Sequence, residues 1–274
     1  MSIDSRIIEL GIEIDGVVTW YRDLYVDAKG RKYREVNIGR CDITVYNLPL
    51  DTRNYILNKT FSDANVMSIG ITLRVGRESY GASLLFSGVV QKANQFGLPD
   101  IGINLKCIPR TLANLNEITI EGDDIESLES IAQKSASALG VGLNFDIDNK
   151  NISSFSYSGK DSGLLKLLRT HVTPSVNVFI DGDILHFVRE GYLTNIRQTV
   201  NISVETGLLE ADGVNRRVDI KTLYTPGVDL TSDISLISSR NSVLDGSYLV
   251  TSIGFDVSNR ALPFYLHIEA LRYG

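Results

Sequence analysis

One short strand pattern occurs twice in this sequence. Arg40-Cys41-Asp42-Ile43-Thr44 is matched by Arg217-Val218-Asp219-Ile220-Lys221, and each leads into a hydrophobic-rich stretch closed by Pro49 or Pro226. Later, Ile71-Thr72-Leu73 corresponds to Ile234-Ser235-Leu236, and Leu98-Pro99 to Leu262-Pro263. The first pair lies 177 positions apart and the later pairs 163 to 164, so the first copy carries an insertion of about 14 residues. A short helix capped by Asp51 and running through Tyr55 and Leu57 falls in that interval. Matches that keep their order and spacing commit the chain to two copies of one unit.

The unit is β. In Ile7 to Ile14, apolar and polar residues alternate, Asp15-Gly16 turns the chain, and Val17 to Tyr21 returns as the second arm of a hairpin. Further strands are predicted at 42–48, 69–75, 84–91, 101–108, 218–223, 234–237, 248–255 and 263–271. Helical spacing is strongest over Asp124–Leu139, where Ile125, Leu128, Ile131, Ala132, Ala136 and Leu139 make one stripe ahead of Gly140. A second helix starts near Asp161 or Ser162 and stops before Pro174. The class is therefore mainly β (α+β), with domains expected at 1–118, 119–195 and 196–274 and the helices in the middle one.

Composition removes several kinds of chemistry. The 27 basic and 33 acidic residues leave a formal charge of −6, the wrong sign for sequence-independent nucleic-acid binding. The longest charge-free stretch, Ser79 to Gln91, is 13 residues, short of the roughly 20 that span a bilayer. The acidic, alternating N-terminus does not read as a signal peptide. Cys41 and Cys107 read as small buried hydrophobes, with a disulfide left open. His171, His186 and His267 stand apart from one another and from cysteine, so no histidine-centred metal site is expected.

Six clusters remain. Glu121, Asp123 and Asp124 could pair for hydrolysis, but read better as acids at a helix N-terminus. Asp146 to Asn151 lacks the glycine and closing glutamate of a calcium loop, and Asp181-Gly182-Asp183 reads as a hairpin turn. Gly140-Val141-Gly142 and Ser158 to Gly163 lack phosphate-loop spacing. The basic run Lys29 to Arg34 reads as a solvated hairpin loop, with partner docking the second reading. No catalytic, cofactor-binding or metal-ligating residue is assigned, and no cofactor is expected.

Ile43-Thr44-Val45-Tyr46-Asn47-Leu48 followed by Asp51-Thr52-Arg53, and then Leu85-Phe86-Ser87-Gly88-Val89-Val90, carry a resemblance, over most of the chain, to the baseplate hub proteins of contractile-tailed bacteriophages. It continues through Leu128 to Phe145 and Phe155 to Leu168, then Thr206-Gly207-Leu208-Leu209 and Gly246-Ser247-Tyr248-Leu249-Val250. The family usually has Trp in the last strand, whereas this chain has Phe264 and Tyr265.

The resemblance implies that each flank is a tail-tube-like β-barrel and the middle a small α/β insert. It implies a non-enzymatic homotrimer whose six barrels adapt a six-fold tail tube to a three-fold central spike. Its partners would be the trimeric spike, tube proteins, and tape measure and baseplate wedge proteins. The implied place is the virion baseplate, assembled in the host cytoplasm, with DNA passing an acidic channel without specific binding. The competing readings are a tail-associated cell-wall hydrolase and a carbohydrate-binding β-module.

Overall fold

Alternating burial builds the first hairpin. β1 (Arg6–Ile14) buries Ile8, Leu10 and Ile12, and turns through Asp15 and Gly16 into β2 (Val17–Tyr21). Both turn residues have positive φ, 50° and 80°, which matches the right-handed twist of the flanking strands. The computed structural model describes residues 4–34, 39–62, 68–97, 100–109, 117–181, 183–189, 199–238 and 241–272.

The first flank continues with β3 (Val26–Tyr33), β4 (Arg40–Tyr46), α1 (Leu50–Ser62), β5 (Gly70–Arg77), β6 (Gly81–Phe96) and β7 (Gly102–Ile108). The last flank holds β15 (Thr199–Ser203), β16 (Leu208–Val214), β17 (Arg217–Leu223), β18 (Asp233–Ile237), β19 (Gly246–Ser258) and β20 (Phe264–Arg272). Hydrogen bonding orders the first set as β3-β4-β7-β6-β5-β1 and the second as β16-β17-β20-β19-β18-β15. The two orders correspond strand for strand. Even a bulge is shared: β6 skips a residue against β7 between Val90 and Lys92, as β19 does against β20 between Val250 and Ser252. The inner pairs are antiparallel in both sets, while β1 pairs β5 antiparallel and β15 pairs β18 parallel. Helix α1 follows β4, and no helix stands between β17 and β18, which accounts for the inserted length in the first copy.

Mainly β is therefore the class. Among the described residues neither flank closes into a barrel, because β3 also pairs with β19 and fuses both sets into one 13-stranded sheet. Their apolar faces share one hydrophobic core, from Ile8 and Leu10 to Leu266 and Ile268.

The middle segment has its own core, from Ile118 to Phe187. It comprises β8 (Ile118–Glu121), β9 (Ile125–Ser127), α2 (Leu128–Leu139), β10 (Gly142–Asp146), β11 (Asn151–Ser153), β12 (Ser156–Gly159), α3 (Asp161–Thr170), β13 (Val176–Asp181) and β14 (Ile184–Arg189). Helix α2 starts later than its spacing suggested: Ile125 is exposed in β9, and Ser127 caps the helix by accepting from Ser130 N at 3.2 Å. A second cap comes from a distance, as Asn149 Oδ1 accepts from Glu129 N at 3.1 Å.

Candidate functional site

Lys29 to Tyr33 belong to a strand, and this corrects the loop reading of the basic run. The segment forms most of β3, between β4 and β19, where the two halves of the sheet join. Val26 and Ala28 point into the core, while Asp27, Lys29 and Arg31 lie on the open face. Gly30 sits opposite Phe255, where a Cβ would run into the Phe255 ring and lie 2.6 Å from Arg40 O. Only glycine lets the two strands meet there. Arg34 is buried with its guanidinium 5.3 Å above the Phe179 ring.

Polar contacts reinforce the join. Arg31 pairs with Glu269 at 2.6 Å and Lys29 with Asp256 at 3.8 Å. Asn259 accepts from Val26 N at 3.1 Å and donates to Leu24 O at 2.7 Å, which ties off both strands. Arg6 donates to Ala261 O at 2.5 Å, and the guanidinium groups of Arg6 and Arg77 lie 4.9 and 5.2 Å from the buried Phe264 ring. The residue that departs from the usual tryptophan thus anchors one half of the sheet to the other.

One face of eight consecutive strands, β16-β17-β20-β19-β3-β4-β7-β6, is polar and solvent-facing. Its charges are segregated. On β3, β4, β7 and β6 it carries Lys29, Arg31, Arg40, Lys92 and Lys106 against Asp27 and Asp42. On β16, β17, β20 and β19 it carries Glu210, Asp212, Asp219, Asp256 and Glu269 against Arg217 and Lys221. The halves have opposite excesses, and the face as a whole is balanced rather than acidic. His267 lies among these charges, its pKa lowered by burial and then by Lys221.

The acidic cluster does not cap α2. Glu121 ends β8, and the exposed Asp123 and Asp124 lie in the link to β9. The carboxylate engaged nearby is Glu126, which had no distinguishing sequence signal. It accepts from Lys134 Nζ at 2.9 Å, from Ser130 Oγ and from Asp123 N, and Lys134 followed by Ser130 holds its pKa below the usual carboxylate range. This is a brace across the start of α2.

The remaining candidates serve as structure. Asp146 to Asn151 links β10 to β11, with Asp148 paired to Arg189. Asp181 ends β13 and Asp183 precedes β14, an antiparallel partner, while Gly182 lies outside the described residues. Gly140 is the left-handed C-terminal cap of α2, and Ser158 to Gly163 ends β12 and opens α3. Cys41 and Cys107 sit directly opposite each other on β4 and β7 as buried free thiols, both pushed up by burial. Among the described residues no group of three or more His, Cys, Asp or Glu side chains is placed to hold a metal ion, and no helix is long and apolar enough to cross a membrane.

A cavity of about 320 Å³ separates the middle segment from the sheet, lined by residues including Lys32, Phe86, Asp161, Phe179, Asp181 and His186. Lys32 pairs with Asp181 across it at 2.9 Å. Burial raises the Asp161 pKa and lowers that of His186, which stacks on Phe179 at 5.0 Å between ring centroids. The Lys32–Asp181 pair and the Arg34 guanidinium over Phe179, just beyond the end of β3, clamp the segment to the sheet.

Solved structures of phage tail proteins and of a type VI secretion component share this fold. The 43 kDa tail protein of prophage MuSo2 from Shewanella oneidensis superposes with TM-score 0.62 at 14% identity, covering 97% of this chain and 98% of that one. A tail protein of Neisseria meningitidis MC58 gives 0.62 at 9% identity, over 97% and 96%. An E. coli component of the type VI secretion system, itself described as similar to the T4 tail proteins gp27 and gp5, gives 0.60 at 11% identity over 96% and 77%. No curated protein matches this chain. The Baseplate hub gp41 family matches residues 7–270. The chain belongs to that family and is a structural baseplate hub protein of the phage tail.

Proposed function

We propose that the protein works as a homotrimer that adapts a six-fold tail tube to a three-fold central spike of a contractile tail. The observation that carries this reading is the repeated strand order, which gives each chain two equivalent halves. Three chains then supply six units around an axis, by heterologous contacts that close into a ring. We divide the chain at 1–118, 119–195 and 196–274, with the insert clamped to the outside of the ring. The polar face lines the channel, and its balanced charge gives DNA no uniform cationic surface to hold it.

Its partners are the trimeric spike and the tube proteins, with tape measure and wedge proteins further out, and its place is the virion, after assembly in the host cytoplasm. The role is non-enzymatic: Asp123 and Asp124 lie in an exposed link, and Glu126 is committed to Lys134. A reconstruction of the assembled tail tests the reading. Three copies in one ring support it; six copies, or one on the axis, overturn it.

A further inference from the structure

Asp161 is a carboxylate buried without a partner. It opens α3, is only 4% exposed, and lines the cavity between the middle segment and the sheet. Apart from a contact with its own backbone N–H, neither carboxylate oxygen has a protein hydrogen-bond partner. Taking an unpaired carboxylate out of water is costly, so such a group in a native fold demands an explanation. The field at the N-terminus of α3 offsets part of that cost but brings no donor to the two oxygens.

The rest of the lining defines what suits that carboxylate. Three parts of the chain converge on the cavity: β6 with Leu85 and Phe86, the middle segment with Leu165 and Phe179, and the link from β17 to β18 with Leu230. The floor is therefore apolar, and a volume of about 320 Å³ is in the range of ligand pockets. Leu84 at 48% and Ile184 at 39% are exposed at the mouth, beside the exposed Asp183 and Asp229. Acids outnumber bases in the lining by four to two, and both bases are engaged. Lys32 pairs with Asp181, and Arg169 donates to Val178 O and Arg34 O at 2.8 and 2.9 Å. Arg34 packs on the Phe179 ring and is not part of the lining. Asp183 and Asp229 accept from neutral donors, Ser87 Oγ at 3.1 Å and Thr231 N at 2.7 Å, which leaves their charges in place. His186 adds no opposing charge near neutral pH, because burial lowers its pKa.

We propose that this cavity is a docking pocket for an arginine side chain, flanked by apolar residues, on a segment of another tail protein. A guanidinium presents two parallel N–H donors, which match a carboxylate with both oxygens open; an ammonium does not offer that fork. The aliphatic stem and the flanking residues cover Leu84, Ile184 and the apolar floor, while Asp183 and Asp229 draw the positive charge toward the mouth. A protein segment fits better than a free small cation, because the volume holds more than one side chain and the mouth is apolar as well as acidic. The pocket lies within one chain, so the proposal does not depend on how many copies form the ring.

The test is calorimetric titration of the full chain with acetyl-Leu-Arg-Leu-amide, and with the same peptide carrying citrulline, which keeps the shape and loses the charge. The arginine peptide binds about tenfold more tightly, the scale of one charged hydrogen-bonded pair. Asp161→Asn brings the two peptides level, and Leu84→Arg at the half-exposed mouth blocks both. Asp161→Asn also raises the melting midpoint of the free chain, because it removes a charge buried without a partner. A midpoint that falls instead assigns the carboxylate to holding α3 and overturns the proposal. Equal binding of the two peptides by the native chain, or no binding at millimolar concentration, overturns it as well. Butylguanidine binds more weakly than the arginine peptide; binding as tight as the peptide's makes the occupant a free cation and overturns the protein segment.

Discussion

Gly30→Ala isolates the energetic cost of the join between the two halves. The added methyl meets a movable group, the Phe255 ring, and an immovable one, Arg40 O at 2.6 Å in the neighbouring ladder. Overpacking a filled interior costs about 1–3 kcal/mol, and the fixed carbonyl puts this site at the upper end, about 3 kcal/mol. For a chain this size that lowers the melting midpoint by roughly 6–12 °C. Phe255→Ala alone removes a buried ring and costs about 3–5 kcal/mol. Combining the two removes the methyl–ring clash and leaves only the carbonyl contact, so the double variant costs about 1–2 kcal/mol less than the sum. Urea unfolding followed by Trp20 fluorescence and circular dichroism reads all four corners of this cycle. A Gly30→Ala loss below about 1 kcal/mol, or additivity within about 0.5 kcal/mol, refutes the claim that glycine is required by the ring across the strand.

Other outcomes follow from the middle segment. His186 has its pKa lowered by burial, so as pH falls below 6.5 the unfolded chain takes up the proton first and the fold loses stability; His186→Phe flattens that slope in thermal melts between pH 7 and 5. Glu126, held below its ordinary pKa by Lys134 and Ser130, contributes stability above the unfolded carboxylate pKa that is lost as pH falls through the lower folded value. Glu126→Gln removes that acid-range dependence, read by melting at pH 5 against pH 3. Purified protein releases no product from peptidoglycan or glycoside substrates; turnover that vanishes in Asp124→Ala overturns the non-enzymatic reading.

Strands with strong alternation, such as β1, β4 and β17, were legible because each buries one face against the common core. β3 and β16 were not, because Asp-Ala-Lys-Gly and Glu-Ala-Asp-Gly combine charge and glycine as turns do. Gly30 is there because β19 passes close by with Phe255, and Gly213 because the Leu244 side chain packs against it, both requirements set by tertiary structure. The repeat itself carried the missing signal, as both strands occupy the same place before β4 and β17. The caps of α2 divided in the same way: Gly140 is visible from spacing, whereas Asn149 acts from 20 residues away. Glu126 looked like one acid among several until Lys134 came within reach, eight residues on.

The strand β19 borders β20 along one side and both β18 and β3 along the other, its first half serving one and its second half the other. Its contact with β3 is made very late in synthesis: Val26 waits for Asn259, 233 residues downstream. Until the C-terminal strands emerge from the ribosome, the β3 edge stays bare beside a finished β4, and pairing over such sequence distances is intrinsically slow. A chain truncated before β19 therefore presents an unoccupied β3 edge. Folding of the last strands acts as a completeness check, because only a chain that extends through β19 covers the internal join.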